Sequence, residues 1–397
     1  MPTRIPAIAA RMASIEPFHV MDVMHRAQQI ERQGRSVIHM EVGEPDFPTP
    51  EPICRAAQRL LAAGRLPYTL ALGLPELRAA IARFYLERYR VVVPAERIIV
   101  TTGSSAALLL IMGVLVDPGD EVLMTDPGYP CNRQFVRLVG GEPVNLPVDA
   151  TTGFQPSAQD VAANLRTQTK AVLLATPANP TGMMVAETEL RAIADAVSRH
   201  GASLIVDEIY HGLTYDGAAN TALAISDEAF VINSFSKYFD MTGWRLGWLV
   251  APPRHVREIE KLAQNLYICP PTLSQHAALA AFDAETIAIV EARREEFRRR
   301  RDYFVPALRN LGFEVPLMPQ GAFYVYADCR RFTRDSFAFA LDLLERGGVA
   351  ATPGLDFGAN HPQRYMRFAY TTGMNNLREA IARLSSYLQG GHTTIVR

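Results

Sequence analysis

The segment Ser203-Leu-Ile-Val-Asp207-Glu-Ile-Tyr210 is an apolar run that ends abruptly in a carboxylate, and Phe230-Val-Ile-Asn-Ser-Phe-Ser-Lys237 repeats the pattern with an amine. Runs this short and this apolar read as strands buried on both faces. Working outward, the same texture recurs at Arg97–Thr101, Glu121–Thr125, Glu142–Leu146, Lys170–Ala175 and Arg245–Val250. Helical patterns separate them at Ser104–Val116, Cys131–Val139, Ser157–Leu165 and Glu187–His200. Strands alternating with helices predict an α/β domain around a mostly parallel sheet covered by helices. Ligands of such sheets sit beyond the carboxyl ends of the strands.

After residue 250 the alternation stops. Helical patterns at Arg254–Tyr267, Leu273–Phe282 and a long Thr286–Asn310 precede a β-rich stretch (Phe313–Val315, Gly321–Ala327), helix Ser336–Glu345, strand Tyr365–Tyr370 and helix Asn376–Leu388. This predicts a smaller α+β domain. A helix near Phe18–Gln33 is expected to pack there and make that domain discontinuous, giving a large domain over 45–290 and a small one from 1–44 and 291–397. The arginine-rich run 293–301 is expected to form a solvated helix face of i,i+4 pairs with its glutamates.

Composition narrows the function. Among 397 residues, 40 basic side chains balance 41 acidic ones, which offers no global field for nucleic acid or an anionic membrane. The longest apolar run, Ala106–Val116, is too short to span a bilayer. No signal segment is evident, and four scattered cysteines in no metal-ligand or CxxC spacing suit a reducing, cytoplasmic setting, with no metal. No dinucleotide or P-loop glycine signature occurs. Lysine appears only at Lys170, Lys237 and Lys261, so 37 of the 40 basic residues are arginine and a nucleophilic amine has three candidates. Lys170 and Lys261 sit in charged, surface-like settings; Lys237 ends a buried strand.

Around Lys237 the neighbouring strand ends add complementary chemistry. Ser234, Ser236 and Arg245 offer hydroxyls and a guanidinium fork suited to phosphate. Gly103-Ser104-Ser105 opens a helix, where backbone amides bind anions, although an ordinary N-cap has the same look. Tyr129 follows one strand with an aromatic face, and Asn179-Pro-Thr-Gly182 follows another. Asp207 and Tyr210 complete the edge. Singly each is weak; together they place an amine, a carboxylate, a phosphate clamp and an aromatic plate on one sheet edge.

These motifs, with Gly43-Glu-Pro-Asp-Phe47, Tyr68-Thr69, Gly73…Leu77-Arg78 and Arg367 in Tyr365-Met-Arg-Phe, resemble the class I/II aminotransferases, the fold-type I pyridoxal-phosphate enzymes, from about residue 18 to 388. The resemblance implies a seven-stranded sheet and a two-step ping-pong exchange between an L-amino acid and a 2-oxoacid. It implies that Lys237 holds pyridoxal 5'-phosphate as a Schiff base and then moves a proton, with Asp207 on the pyridine nitrogen and Asn179 and Tyr210 on the phenolic oxygen. Tyr129 would stack on the ring, and Gly103, Ser104, Ser105, Ser234, Ser236 and Arg245 would grip the phosphate. Tyr68 would reach it from the other subunit of a homodimer. Arg367, with Gly43 and Asn179, would take the substrate carboxylate. The same scaffold also supports lyases, such as β-elimination or a cyclising synthase, and that alternative stays open here. Side-chain preference is expected to depend on Ile15–Phe18, Leu66–Leu72 and Leu266–Pro271, tilting toward neutral or aromatic amino acids.

Overall fold

A computed structural model of the chain describes residues 8–217 and 219–390. Its centre is a seven-stranded sheet made of β1 (Ile98–Thr101), β2 (Glu121–Asp126), β3 (Glu142–Pro147), β4 (Thr169–Ala175), β5 (Ser203–Asp207), β6 (Phe230–Ser234) and β7 (Gly247–Val250), in spatial order β1-β7-β6-β5-β4-β2-β3. Only β7 opposes the others, pairing antiparallel with β1 and with β6. Successive residues feed opposite cores. Val122 and Met124 pack on one side and Leu123 on the other, while Ala171 and Leu173 alternate with Val172 and Leu174. That period of two, with both faces covered, is why the strands read as unbroken apolar runs. Strand β3 is the exception: mostly exposed and carrying Pro143 and Pro147, it is the edge that proline protects from further pairing.

The sheet topology explains why the chemistry converges. Strands β2, β4, β5 and β6 are parallel, so the residues after their last positions emerge on one side. Strand β7 runs the other way, and Gly247, its first residue, pairs with both Thr101 and Ser234. Arg245, two residues earlier, therefore arrives at the same edge as the residues that follow β1 and β6.

The second layer of structure is smaller. Strands β8 (Tyr324–Asp328), β9 (Thr352–Pro353) and β10 (Tyr365–Ala369) form an antiparallel sheet in the order β9-β10-β8. Helix α1 (His19–Arg32) joins them as expected, burying Val23, Ala27 and Ile30 against Val37, Leu344 and Ala350. Residues spaced four and three apart share one helix face, and each buried valine or isoleucine contributes about 1.5–3 kcal/mol. Two further helices, Glu51–Ala62 and Pro75–Tyr89, stand outside the sequence reading, although Pro52 and Pro75 mark their first turns.

One expectation fails. The arginine-rich run lies on a 28-residue helix, Ala284–Leu311, but it is not a uniformly solvated face. Arg298 and Arg299 do pair with glutamates of their own helix at the surface. Arg300 and Arg301 are buried instead. Arg300 donates to Asp46 and to the Thr371 carbonyl, both at 2.7 Å, with its guanidinium over Phe47. Arg301 bonds Asp216 and the Pro319 carbonyl. Charge spacing shows which glutamates a helix can reach, but not which side of it the tertiary fold covers. Removing one partner of a buried charge pair costs far more than trimming an exposed one. Arg300→Met is therefore expected to lower the unfolding free energy by about 2–4 kcal/mol and Arg299→Ala by under about 0.5 kcal/mol, read from denaturant midpoints. Equal effects would restore the solvated-face view.

Candidate active site

A cavity of about 380 Å³ opens at the carboxyl end of the sheet. All the site residues named from sequence line it except Gly103, Ser234 and Tyr68. Lys237 lies three residues beyond β6, half-buried, with its Nζ donating to the Gly43 carbonyl at 2.6 Å. Removal from water lowers its pKa from 10.5 to about 8; Glu44 and Asp207 oppose that shift, while Arg367 and Arg245 reinforce it.

Asp207, the last residue of β5, is 6% exposed. Burial pushes its carboxyl up from 3.8 to about 6, held back by the Ile209 amide, which donates to Oδ1 at 3.0 Å, and by the charge of Lys237. Among the described residues no cation lies within ion-pairing distance of it. A buried acid left in this condition suits a ligand that brings its own N–H.

Anion-binding groups gather on the other flank. Helix α2 (Gly103–Leu115) starts without a side-chain cap, so the ordinary N-cap explanation for Ser104 and Ser105 does not hold. Gly103 has φ +72°, and a Cβ there would come within 2.5 Å of Arg245 Nη2. Glycine is what lets this guanidinium approach the helix start. Arg245 Nη1 also donates to the Thr242 carbonyl at 2.9 Å and reaches Ser236 Oγ at 3.5 Å. Ser234 is placed differently from Ser236. Its hydroxyl is buried below the cavity, donating to the Leu246 carbonyl at 3.1 Å and lying 3.0 Å from the Ser236 hydroxyl, from which it can accept, so it braces the lining residue.

Arg367, in the middle of β10, is 6% exposed and not part of a surface ion pair. It donates to Asn179 Oδ1 at 2.9 Å, to Thr352 Oγ1 at 3.2 Å and to the Glu41 carbonyl, all uncharged acceptors. Its Nε is buried with no hydrogen-bond partner, and among the described residues no carboxylate lies within 4 Å. A buried guanidinium with spare donors and no counter-ion is a site for a carboxylate from outside the protein.

Several lining residues were not singled out from sequence. Tyr324 on β8 has its hydroxyl 2.8 Å from that of Tyr210. Phe18, Val20, Met21 and Met24, at and just beyond the start of α1, and Phe357 form an apolar wall. Phe18 belongs to one of the segments on which side-chain preference is expected to depend. The other two lie elsewhere in the chain: Leu66, Tyr68, Leu70, Leu266 and Ile268 are exposed, Tyr68 at 79%.

Comparison with known proteins agrees with this geometry. The family profile for aminotransferase class I and II matches residues 35–384. A valine–pyruvate aminotransferase from Mycobacterium tuberculosis is 41% identical over 96% of this chain and 98% of its own length. The crystal structure of an aminotransferase from that organism superposes with a TM-score of 0.94 at 40% identity, covering 97% of this chain and all of that one. Aspartate aminotransferase from Thermus thermophilus, solved with maleate, superposes with a TM-score of 0.91 at 33% identity over 96% of this chain and all of its own. The chain belongs to the class I and II aminotransferases, pyridoxal-phosphate-dependent enzymes that pass an amino group from an amino acid to a 2-oxoacid.

Proposed function

We propose that this aminotransferase takes its amino group from an apolar L-amino acid, with Lys237 as the covalent anchor and proton carrier and Arg367 as the carboxylate clamp. The observation that carries the reading is a single cavity in which an arginine without a counter-ion and a lysine of lowered pKa face an apolar wall. Pyridoxal phosphate, when bound, supplies an aldehyde for amine exchange and a ring that draws off the electron pair left when Cα loses its proton. The donor set fits it. Ser104, Ser105, Ser236 and Arg245 would hold the phosphate, with Gly103 and Ser234 shaping that cradle. Asp207 would take the ring N–H, Tyr210 and Asn179 would hydrogen-bond the phenolic oxygen, and Tyr129 would cover the ring.

Lys237 Nζ takes the Cα proton and returns it. At a pKa of about 8, roughly one amine in ten is neutral at pH 7, against fewer than one in a thousand for an ordinary lysine. The Gly43 carbonyl, accepting from Nζ, fixes where the amine sits. Arg367 offers the substrate carboxylate the donors that the protein leaves free, and Asn179 fixes its plane.

Substrate class follows from counting cations. Among the described residues those lining the cavity are Lys237, Arg245 and Arg367, and each already has a task, so none of these remains for a second carboxylate. The Mycobacterium relative is named for valine and pyruvate, and the Thermus relatives for aspartate and prephenate; the apolar wall sides with the former. We also propose a homodimer. Segments 66–72 and 266–272 are joined by a hydrogen bond from Thr272 Oγ1 to the Pro67 carbonyl at 2.7 Å and expose Leu66, Tyr68, Leu70, Leu266 and Ile268, a surface suited to a second copy, from which Tyr68 would reach the partner's phosphate site. Division into domains at 45–290 and 1–44 with 291–397, and a cytoplasmic setting for the four free cysteines, complete the proposal.

Three outcomes are expected. In a panel of donors against pyruvate and 2-oxoglutarate, valine, leucine or alanine exceeds aspartate in kcat/KM by at least about tenfold, given ~1.4 kcal/mol per decade; a preference for aspartate would sink the substrate assignment. Borohydride reduction fixes the cofactor's mass on the Lys237 peptide, Lys237→Ala shows no adduct, and attachment to the cofactor-free protein rises with pH through a midpoint near 8, where the amine becomes neutral. Arg367→Lys raises KM for the amino acid by about 10–100-fold, the loss of a charge-assisted bond, with cofactor loading unchanged; an unaltered KM contradicts the clamp.

A further inference from the structure

Tyr324 occupies the junction between the two halves of the cavity. On one side its hydroxyl lies 2.8 Å from the Tyr210 hydroxyl, and both are buried. On the other its ring face carries the Arg367 guanidinium at 4.4 Å from the centroid. The fit is tight: a Cβ on Gly43 would fall 1.7 Å from the Tyr324 hydroxyl oxygen, so the glycine leaves room for this phenol. Gly43 in turn bonds Lys237. Edge-on contacts with Phe323 and Tyr210 fix the ring.

We infer that Tyr324 is a positioning residue that joins the substrate-carboxylate clamp to the cofactor's hydrogen-bond network, its ring setting the plane of Arg367 and its hydroxyl setting the donor strength of Tyr210. The ring attracts a cation over its face and holds the guanidinium flat while leaving its edge donors free. The hydroxyl makes Tyr210 a member of a chain of two phenols, and a phenol that accepts a hydrogen bond donates its own more strongly. The inference rests on Tyr210 bonding the cofactor's phenolic oxygen, as proposed above.

Two variants separate the two contributions. Tyr324→Phe keeps the ring and removes the hydroxyl. Weaker donation from Tyr210 leaves the phenolic oxygen less stabilised once the neighbouring nitrogen loses its proton. The pH midpoint of the bound cofactor's visible absorbance is therefore expected to rise, in the same direction as in Tyr210→Phe and by less, with KM for the amino acid within about twofold. Tyr324→Leu removes the ring as well, and KM is expected to rise about tenfold, within the range of a buried cation–π contact, with kcat falling less. An absorbance midpoint in Tyr324→Phe equal to that of the parent holoenzyme, or an unchanged KM in a folded Tyr324→Leu, overturns the inference. If Tyr324→Leu does not fold, the Tyr324→Phe midpoint alone decides. Failure of the underlying reading shows separately, as a midpoint that does not move in Tyr210→Phe.

Discussion

Positive charge held out of water without full compensation is the constraint on which the site depends. Lys237, Arg245 and Arg367 face one cavity, and the latter two each push the lysine amine toward its neutral form. Were an internal carboxylate to neutralise Arg367, the amine would regain its proton more readily and the clamp would be occupied. The fold avoids this by satisfying the guanidinium with uncharged acceptors, the Glu41 carbonyl, Thr352 and Asn179. A charge left unpaired by the protein's own side chains is costly, and an anionic ligand offsets that cost. Topology makes the arrangement possible. A single reversed strand brings Arg245 to the edge where the ends of the six parallel strands already lie, and a separate antiparallel sheet presents Arg367 from the opposite wall.

Neighbouring acids show how finely the strand end sorts its side chains. Asp207 and Glu208 are adjacent and both buried, yet only Asp207 lines the cavity. Glu208 turns into the core, where Thr221 Oγ1 and the Ala222 amide bond it at 2.8 and 2.7 Å. Burial, the charge of Asp207 adding to it, raises its pKa from 4.5 to about 8, despite those bonds. Glu208 is thus protonated near neutrality and adds little field to the site, which leaves Asp207, facing the cavity, as the ionisable one of the two acids. His211, almost wholly buried nearby, is pushed down to about 3 by burial and by Arg88 and stays neutral. Glu208 and His211, behind Asp207, are therefore polar without being charged.

Most of the sheet and much of the site were legible in the sequence for one reason: a buried strand announces itself by continuous apolar composition, and a polar residue at its end is conspicuous. Asp207, Lys237 and Asn179 were found that way. Arg367 came instead from the family resemblance, and its place inside the apolar run Met-Arg-Phe-Ala-Tyr spoke only against a surface ion pair. Residues whose role depends on tertiary approach were not legible. Tyr324 lies in an aromatic run, Phe323-Tyr-Val-Tyr326, that reads as plain core, and only the register of β8 against β10, opposing Tyr324 to Ala369 and Tyr326 to Arg367, sets which tyrosine meets which partner. Arg300 and Arg301 differ from Arg298 and Arg299 only by their rotation around a helix, which charge counting does not reveal.

The apolar wall of the cavity is held by backbone capture and not by apolar packing alone, and this bears on how substrate shape is read. Asp356, beside Phe357, accepts the His19 and Val20 amides at 2.7 and 2.8 Å, so it caps the uncapped start of α1 from another part of the chain. The Phe357 carbonyl accepts from the Gly128 amide at 2.8 Å and from Arg133 at 3.0 Å, while Asp126, at the end of β2, accepts from the Ala359 amide at 2.8 Å. Carboxylates on free helix amides are among the stronger local contacts available, because charge meets the helix dipole. The segment carrying Phe357 is therefore tied to the turn that carries Tyr129 and to the helix that carries Val20, Met21 and Met24. A change in any of these wall residues alters a surface whose backbone is fixed at three points, so its effect falls on the volume offered to the substrate side chain and not on the placement of Lys237 or Asp207, which the sheet holds independently.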